Sequence, residues 1–529
     1  MSKEIERTSD FDYDFIIIGS GFGGSAAALR LSEQGYRVVV LEKGRTFRPQ
    51  DFPATNWDLK RWLWMPSLGL TGPFRISLYS HLMVFSGVGV GGGSLVYANT
   101  LPIPGEDFFQ APSWGHLADW QSELQPYYQT ALRMLGAAPN PYFHTGDHAL
   151  RAVGEQIGKG DRFSTVNVGV YFDNPGKEVP DPFFGGEGPA RTGCIQCGAC
   201  MLGCKYGSKN TLDKNYLYLA QGKGAEVRDN ATVRNVQPLN GTDGASGYAV
   251  TYQETLGWFR DLHTLRARGV IFAAGAQGTT KLLLQLKHRQ SLPRLSNRVG
   301  YGIRTNSESL LGATTFSKRK ELSRGVAISS ILQVDDRSHL EVVRYSAGSG
   351  FFRLQMTPAI RGKTAIERIR RMLGDYISDP KGNLKGLTVD DWSKRTQILL
   401  FMQTVDSTLR FELDQTGLMN SRLDEGPAPT PFIPEAHELA HRFAEQIEGK
   451  AFAQATESLF GIPSTAHILG GACMGETDAT GVVDAENRVH NYRNMYVMDG
   501  AMISANPGVN PSLSILALAE RALERVKLL

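Results

Sequence analysis

Residues 15–18 form an unbroken apolar run, the pattern of a short strand covered on both faces, as inside a parallel sheet. The pattern predicts a helix over 25–34 and a second strand over 36–41 that ends in Glu42. Further along, 226–236 and 247–253 read as strands, 270–274 as another buried strand, and 279–286 as a helix. Between 310 and 455 the pattern becomes alternation with one polar face, clearest at 326–334, 340–345 and 397–405, which predicts a mostly antiparallel sheet. At the C-terminal side, 495–498 reads as a strand and 512–528 as a helix. Two apolar stretches fit neither pattern. Trp57, Trp62, Trp64, Met65, Leu68, Leu70 and Phe74 are broken by Pro66, Gly69, Gly72 and Pro73, so they lie on a loop, either a lid over an apolar cavity or a core-packing connection. At 356–373, Arg361, Lys363, Arg368, Arg370 and Arg371 alternate with Ile366, Ile369, Met372 and Leu373, a basic amphipathic helix that either lies on an anionic membrane or presents a solvated face.

The loop after the first strand carries Gly19, Gly21 and Gly24 in G-x-G-x-x-G spacing. The first glycine permits a tight turn, the second lets backbone approach a pyrophosphate, and the third lets helix and strand pack closely. Glu42 stands where an acid takes a ribose hydroxyl. Strand, glycines, helix, strand and acid in that order specify a Rossmann-type dinucleotide site. A second glycine-rich loop, with Gly87, Gly89, Gly91, Gly92 and Gly93, lets backbone lie against a flat ring. At 529 residues the chain is long enough for two domains. Its net charge of +3, from 56 basic and 53 acidic residues, gives no basic excess for nucleic acid. A polar start without a signal pattern, and no apolar run of membrane length, lead to the expectation of a cytoplasmic, non-spanning protein. Its five cysteines then meet a reducing compartment. Four of them, Cys194, Cys197, Cys200 and Cys204, have the C-x2-C-x2-C-x3-C spacing of ferredoxin ligands, which leaves a 4Fe-4S or 3Fe-4S cluster, a zinc ion or plain thiols open.

Together with GVGVGGGSLV at 87–96, the opening unit resembles the glucose-methanol-choline (GMC) oxidoreductases, flavoproteins that oxidise alcohols. The resemblance implies FAD held by Gly19, Gly21, Phe22, Gly24, Glu42, Gly89, Gly91, Gly92, Gly93, Ser94, Val96, Ala274, Asp499, Gly500, Asn510 and Pro511. Some members attach flavin to a histidine just after this loop. Here Val96, Tyr97 and Ala98 follow, which implies non-covalent FAD. GSKNTLDKNYLYLA at 207–220, HILGG at 467–471 and GVNP at 508–511 are similar to the cholesterol-oxidase-like branch. That similarity implies catalytic roles for His467 and Asn510, and a proton-moving role for Glu341 in HLEVVRYSAGSG, whose other reading is a solvated strand charge.

The implied architecture is α/β, with an FAD domain assembled from 1–50, 80–110, 205–309 and 456–529. A lid loop at 51–79 and a substrate domain at 111–204 and 310–455, carrying the cysteine run at 194–204, complete it. The implied activity is oxidation of an apolar alcohol, foremost a 3-hydroxysteroid, with dioxygen or another electron acceptor and with double-bond isomerisation through Glu341 as an added step. Oxidation of a long-chain or terpenoid alcohol with electrons leaving through a cluster, and a flavin-binding electron-transfer partner without alcohol chemistry, are the alternatives. Peripheral membrane contact belongs to the same expectation; nucleic acid does not.

Overall fold

The structure is a computed structural model that describes residues 10–257, 261–360, 362, 364–424, 427–430 and 432–528. The strand Tyr13–Ile18 is apolar throughout its inner half because it lies between parallel neighbours, Val38–Leu41 on one side and Leu262–Phe272 on the other. Across this sheet the order is Glu226–Arg228, Val38–Leu41, Tyr13–Ile18, Leu262–Phe272, Tyr248–Glu254 and Ala231–Pro238. Leu262–Phe272 does two jobs. Its exposed first half forms an antiparallel hairpin with Tyr248–Glu254, and its buried second half pairs in parallel with Tyr13–Ile18 and with Met495–Val497.

The stretch 226–236, which reads as one strand, is two. Asn230 takes a left-handed φ of 52° and its N–H donates to the carbonyl of Gly44 at 2.8 Å, so the chain turns there. The first helix, Phe22–Glu33, begins inside the glycine loop, earlier than the apolar pattern indicates. A Cβ on Gly24 would sit 2.1 Å from the carbonyl oxygen of Gly19, so this glycine is the close helix-strand contact that its motif position requires. That helix packs against Ser512–Leu523, and Arg30 Nε donates to Glu520 Oε2 at 2.7 Å across the contact. The helix Trp120–Met134 also packs on Ser512–Leu523 and buries Trp120, Leu124 and Tyr128 in the core of this first sheet.

The second sheet is antiparallel at every pairing, with the order Met356–Pro358, Gly449–Gln454, Ser309–Thr315, Thr396–Gln403, Ser338–Val343, Ile328–Gln333 and Phe163–Thr165. Alternation in Ser338–Val343 sends Leu340 and Val342 into the core under the helix Pro434–Gln446, while Val343 belongs to an aromatic cluster on the opposite face. The proline- and glycine-broken stretch feeds that cluster. Trp62 is fully buried, stacked on Phe74 at 4.9 Å and edge-on to Phe351 and Phe352 at 5.0 and 5.8 Å, whereas Trp57, Met65 and Leu68 remain exposed. The basic amphipathic stretch is part strand, Met356–Pro358, and part helix, Ala365–Ser378. Its Arg368 is buried over the Phe432 ring, while Ile366, Ile369, Leu373 and Ile377 face outward. Arg361 and Lys363 lie outside the described residues. No helix among the described residues is long and apolar enough to cross a membrane.

Candidate active site

A cavity of about 520 Å³ runs between the two sheets. It is lined by Gly19, Gly21, Phe22 and Glu42 of the first unit, by Gly92, Gly93, Val96 and Ala274, and by His467, Asp499, Gly500, Asn510 and Pro511. Beyond these the wall turns apolar, with Phe74, Phe85, Ile328, Val343, Tyr345, Phe352, Ile398 and Leu400. This shape suits a dinucleotide with a flat ring. A Cβ on Gly21 would have its nearest neighbour 3.9 Å away, so the backbone there faces open space that a bulky phosphate can approach. Ser512 and Ile515 bring the start of the C-terminal helix to the wall as well. Lys43, Arg75, Arg234 and Lys281 surround the Glu42 end, a cationic lining that no motif announces. Burial, with Arg75 close by, pushes the Lys43 ammonium down to about 7.

Four expected cofactor contacts stand one layer behind this wall. Gly24 is used in helix-strand packing, and Gly89 in packing against the Phe47 ring and Leu95. Ser94 donates its hydroxyl to the carbonyl of Gly91 at 2.6 Å and accepts the N–H of Leu212 at 3.0 Å, so both residues shape the loop from inside. Glu42 accepts from Ser20 Oγ at 2.8 Å and from the Gly44 N–H at 2.8 Å, which fixes its carboxylate at the cavity edge. Asp499 lines the cavity while bonding to the N–H groups of Gly275 and Ala501 at 2.9 and 2.7 Å, so it pins the start of Gly275–His288 to the turn at Gly500. Burial raises its pKa to about 6.

At the junction of the polar and apolar halves, His467 Nδ1 lies 2.7 Å from Glu308 Oε2. The other Glu308 oxygen accepts the N–H of Ala466 at 2.9 Å, so the carboxylate is clamped in place. With Nδ1–H donating to Glu308, Nε2 presents its lone pair to Asn510, whose Nδ2 is 3.2 Å away. Asn510 Oδ1 is buried with no partner among the described residues, an acceptor left for something in the cavity. Burial disfavours the His467 imidazolium, but the charge and hydrogen bond of Glu308 outweigh it and hold the pKa above that of an ordinary histidine. Sequence reasoning missed Glu308. It sits in TNSES, and nothing in its spacing links it to a histidine so far along the chain.

Glu341 is fully buried, not a solvated strand charge. It does not line the cavity; it adjoins His467 and Asn510, and burial pushes its carboxyl up to about 8. Among the described residues neither oxygen makes a well-formed hydrogen bond, although the Asn510 amide is near enough to lower the carboxyl pKa slightly against burial, and His339 Nε2 stands 3.8 Å from Oε1. Burial drives His339 down to about 3, so it is a neutral neighbour.

Of the three readings open for the cysteine run, the structure displays plain thiols. All four are free, and among the described residues no three His, Cys, Asp or Glu side chains are gathered to hold one ion. The segment is held by other means. Cys197 bridges to Gly325, and the Lys209 ammonium, 1% exposed, donates to the carbonyls of Cys200, Tyr97 and Leu95 at 2.8, 2.8 and 3.1 Å. Burial, with the neighbouring cysteines, raises the Cys197 thiol to about 11 and Cys194 further. As placed, the four side chains are not gathered into a metal or cluster site. Met201, within the run, does reach the cavity wall.

Models of the GMC oxidoreductase family match residues 190–288 and 420–519, and a model of an NAD(P)-binding Rossmann-like domain matches residues 17–48. The chain is 42% identical to a cholesterol oxidase of Acinetobacter baumannii, covering 98% of this chain and 95% of that protein. It is 45% identical to a cholesterol oxidase of Mycobacterium tuberculosis, over 97% of this chain and 90% of that protein. The chain belongs to the GMC oxidoreductase family. Its fold is shared with pyridoxine 4-oxidase from Mesorbium loti at a TM-score of 0.61 and 15% identity, over 97% of this chain and 98% of that structure. A GMC oxidoreductase is an FAD-dependent enzyme acting on alcohols, and this GMC oxidoreductase has the cavity, the glycine contacts and the orphaned amide oxygen that fit the cofactor.

Proposed function

We propose that the protein oxidises the 3-hydroxyl of a sterol to the ketone, with His467 as base and Asn510 as the group that holds the alcohol oxygen. The observation that carries this reading is the Glu308–His467–Asn510 chain at the point where a dinucleotide-shaped cavity meets an apolar one. The hydroxyl proton passes to His467 Nε2, and the Glu308 carboxylate stabilises the imidazolium that results. Bound FAD supplies the acceptor for the carbinol hydrogen as hydride, so loss of proton and hydride together leaves the ketone. Asn510 keeps the oxygen oriented, and the aromatic wall of Phe74, Phe85, Tyr345 and Phe352 excludes water from the reacting face. FAD is non-covalent in this proposal, since Val96 occupies the wall where a linking histidine would stand. Dioxygen is the acceptor, and no electron passes through the cysteine run.

Glu341, kept mostly protonated near neutrality, is the proton carrier for migration of a ring double bond after oxidation, reaching the substrate by a side-chain rotation past His467 and Asn510. The polar work is done by the first sheet and its segments at 1–50, 80–110, 205–309 and 456–529; the second sheet shapes the apolar half. The outward Ile366, Ile369, Leu373 and Ile377, beside Arg370 and Arg371, support a cytoplasmic, membrane-peripheral enzyme that meets its substrate at a bilayer.

Anaerobic mixing of the FAD-loaded protein with cholesterol is expected to bleach the flavin, and long-chain primary alcohols are not. Bleaching by primary alcohols alone would replace the sterol reading. In air, hydrogen peroxide should appear in equal amount to the ketone. Vesicle sedimentation with anionic phospholipid should fall at least several-fold on replacing both Ile366 and Ile377 by Glu.

A further inference from the structure

A second cavity, of about 600 Å³, opens beside the small sheet of Ile303–Arg304, Thr408–Leu413 and Met419–Leu423. None of its residues lines the first. Its wall brings together Arg298, Arg304 and Arg410 with Tyr301, Thr408, Leu423 and Asp424. Arg304 is only 6% exposed; its Nε donates to Asp406 at 2.8 Å and its Nη1 to the Gly302 carbonyl at 2.8 Å, while Nη2 makes no hydrogen bond among the described residues. Among the described residues Arg410 Nε is buried without a hydrogen-bond partner, and Nη1 reaches the Tyr301 hydroxyl only at 3.4 Å. Glu412, 3.6 Å from Arg410, is bonded to Arg422 at 2.6 Å. Arg298 lies over the Tyr301 ring at 4.4 Å, with Arg410 5.7 Å from the same ring, and forms no ion pair among the described residues.

Three guanidinium groups share this wall with few acceptors, chiefly Asp424 and the Tyr301 hydroxyl, so a ligand that supplies oxygens suits it. The planar fork of arginine matches phosphate in particular. Asp406 and Asp424 offset part of the charge and leave the site cationic. We propose that this pocket binds the phosphate of a phosphorylated small molecule. Its volume is that of a small-molecule site, well beyond what a bare phosphate ion fills, and the Tyr301 ring and exposed Leu423 give the organic part a surface. The site is also tied to the active centre. Arg304 exchanges both backbone hydrogen bonds with Leu469 at 2.9 Å, two residues beyond His467, and the same stretch leads from Arg304 to Glu308. An occupied pocket therefore holds together the two segments that carry the His467–Glu308 bond.

The test is isothermal calorimetry on the FAD-loaded protein at low ionic strength, with glycerol 3-phosphate, glycerol and inorganic phosphate as separate titrants. Saturable binding of glycerol 3-phosphate is expected with the flavin spectrum unchanged, no binding of glycerol, and weaker binding of inorganic phosphate. Arg298→Gln and Arg410→Gln should each weaken the ester at least about tenfold. Arg151→Gln, at an exposed helix position elsewhere, should leave it unchanged. Arg298 is exposed, so its variant keeps the fold. Absence of saturable ester binding, or binding that survives both substitutions, overturns the proposal; inorganic phosphate binding as tightly as the ester overturns the assignment to an ester.

Discussion

His467 and Glu308 are 159 positions apart, yet their contact decides the protonation state on which the chemistry depends. Burial alone would lower the imidazole pKa; the carboxylate raises it instead. The base must be neutral, so kcat/KM for alcohol oxidation should fall with decreasing pH through a pKa above that of ordinary histidine. In Glu308→Gln the raising charge is gone. The acid limb should then move to lower pH, while kcat drops about a hundredfold because the tautomer and the imidazolium lose their support. An unchanged acid limb, measured over pH 5–9, would show that Glu308 only packs. Glu341 titrates in the same sense. Its carboxyl is pushed up to about 8, so isomerisation, which needs the ionised form to take a proton, should rise with pH through that value. Glu341→Gln should abolish isomerisation and leave sterol oxidation within about tenfold, read by the separate absorbances of the two ketones.

At the scale of elements, the strand-glycine-helix-strand unit at the start was legible in the sequence because apolar runs and glycine spacing are local signals. The antiparallel second sheet was legible for the same reason, through alternation in strands such as Ser338–Val343. Glu308 was not, because its partner comes from a distant segment. The cysteine spacing left three readings open, since spacing reports what a turn can gather and says nothing of the lysine and backbone contacts that hold it. The aromatic stretch packs in the core and also reaches the cavity. Trp62 is core, and it backs Phe74 and Phe352, which are cavity wall. Trp62→Ala is therefore expected to cost about 3–5 kcal/mol of stability by chemical denaturation. It should also raise KM for the sterol more than it lowers kcat, because the wall loses its backing while His467 keeps its partners.

At the scale of the whole molecule, polar and apolar halves of one cavity are supplied by two differently built sheets, which allows the cofactor site and the substrate wall to vary separately. Because the cysteines are not gathered around a common point, purified protein should show flavin absorbance alone and no stoichiometric iron by elemental analysis. Broad extra absorbance with iron would mean that the segment rearranges around a cluster. The strand Met495–Val497 lies against Leu262–Phe272, and the helix Ser512–Leu523 covers Phe22–Glu33, so segments far apart in the sequence close over one another. A ribosome must therefore have made residues 495–523 before the nucleotide pocket is complete. Nascent chains stalled ahead of residue 495 should retain no flavin, and loading becomes a post-synthetic event that a cell can limit through its vitamin supply.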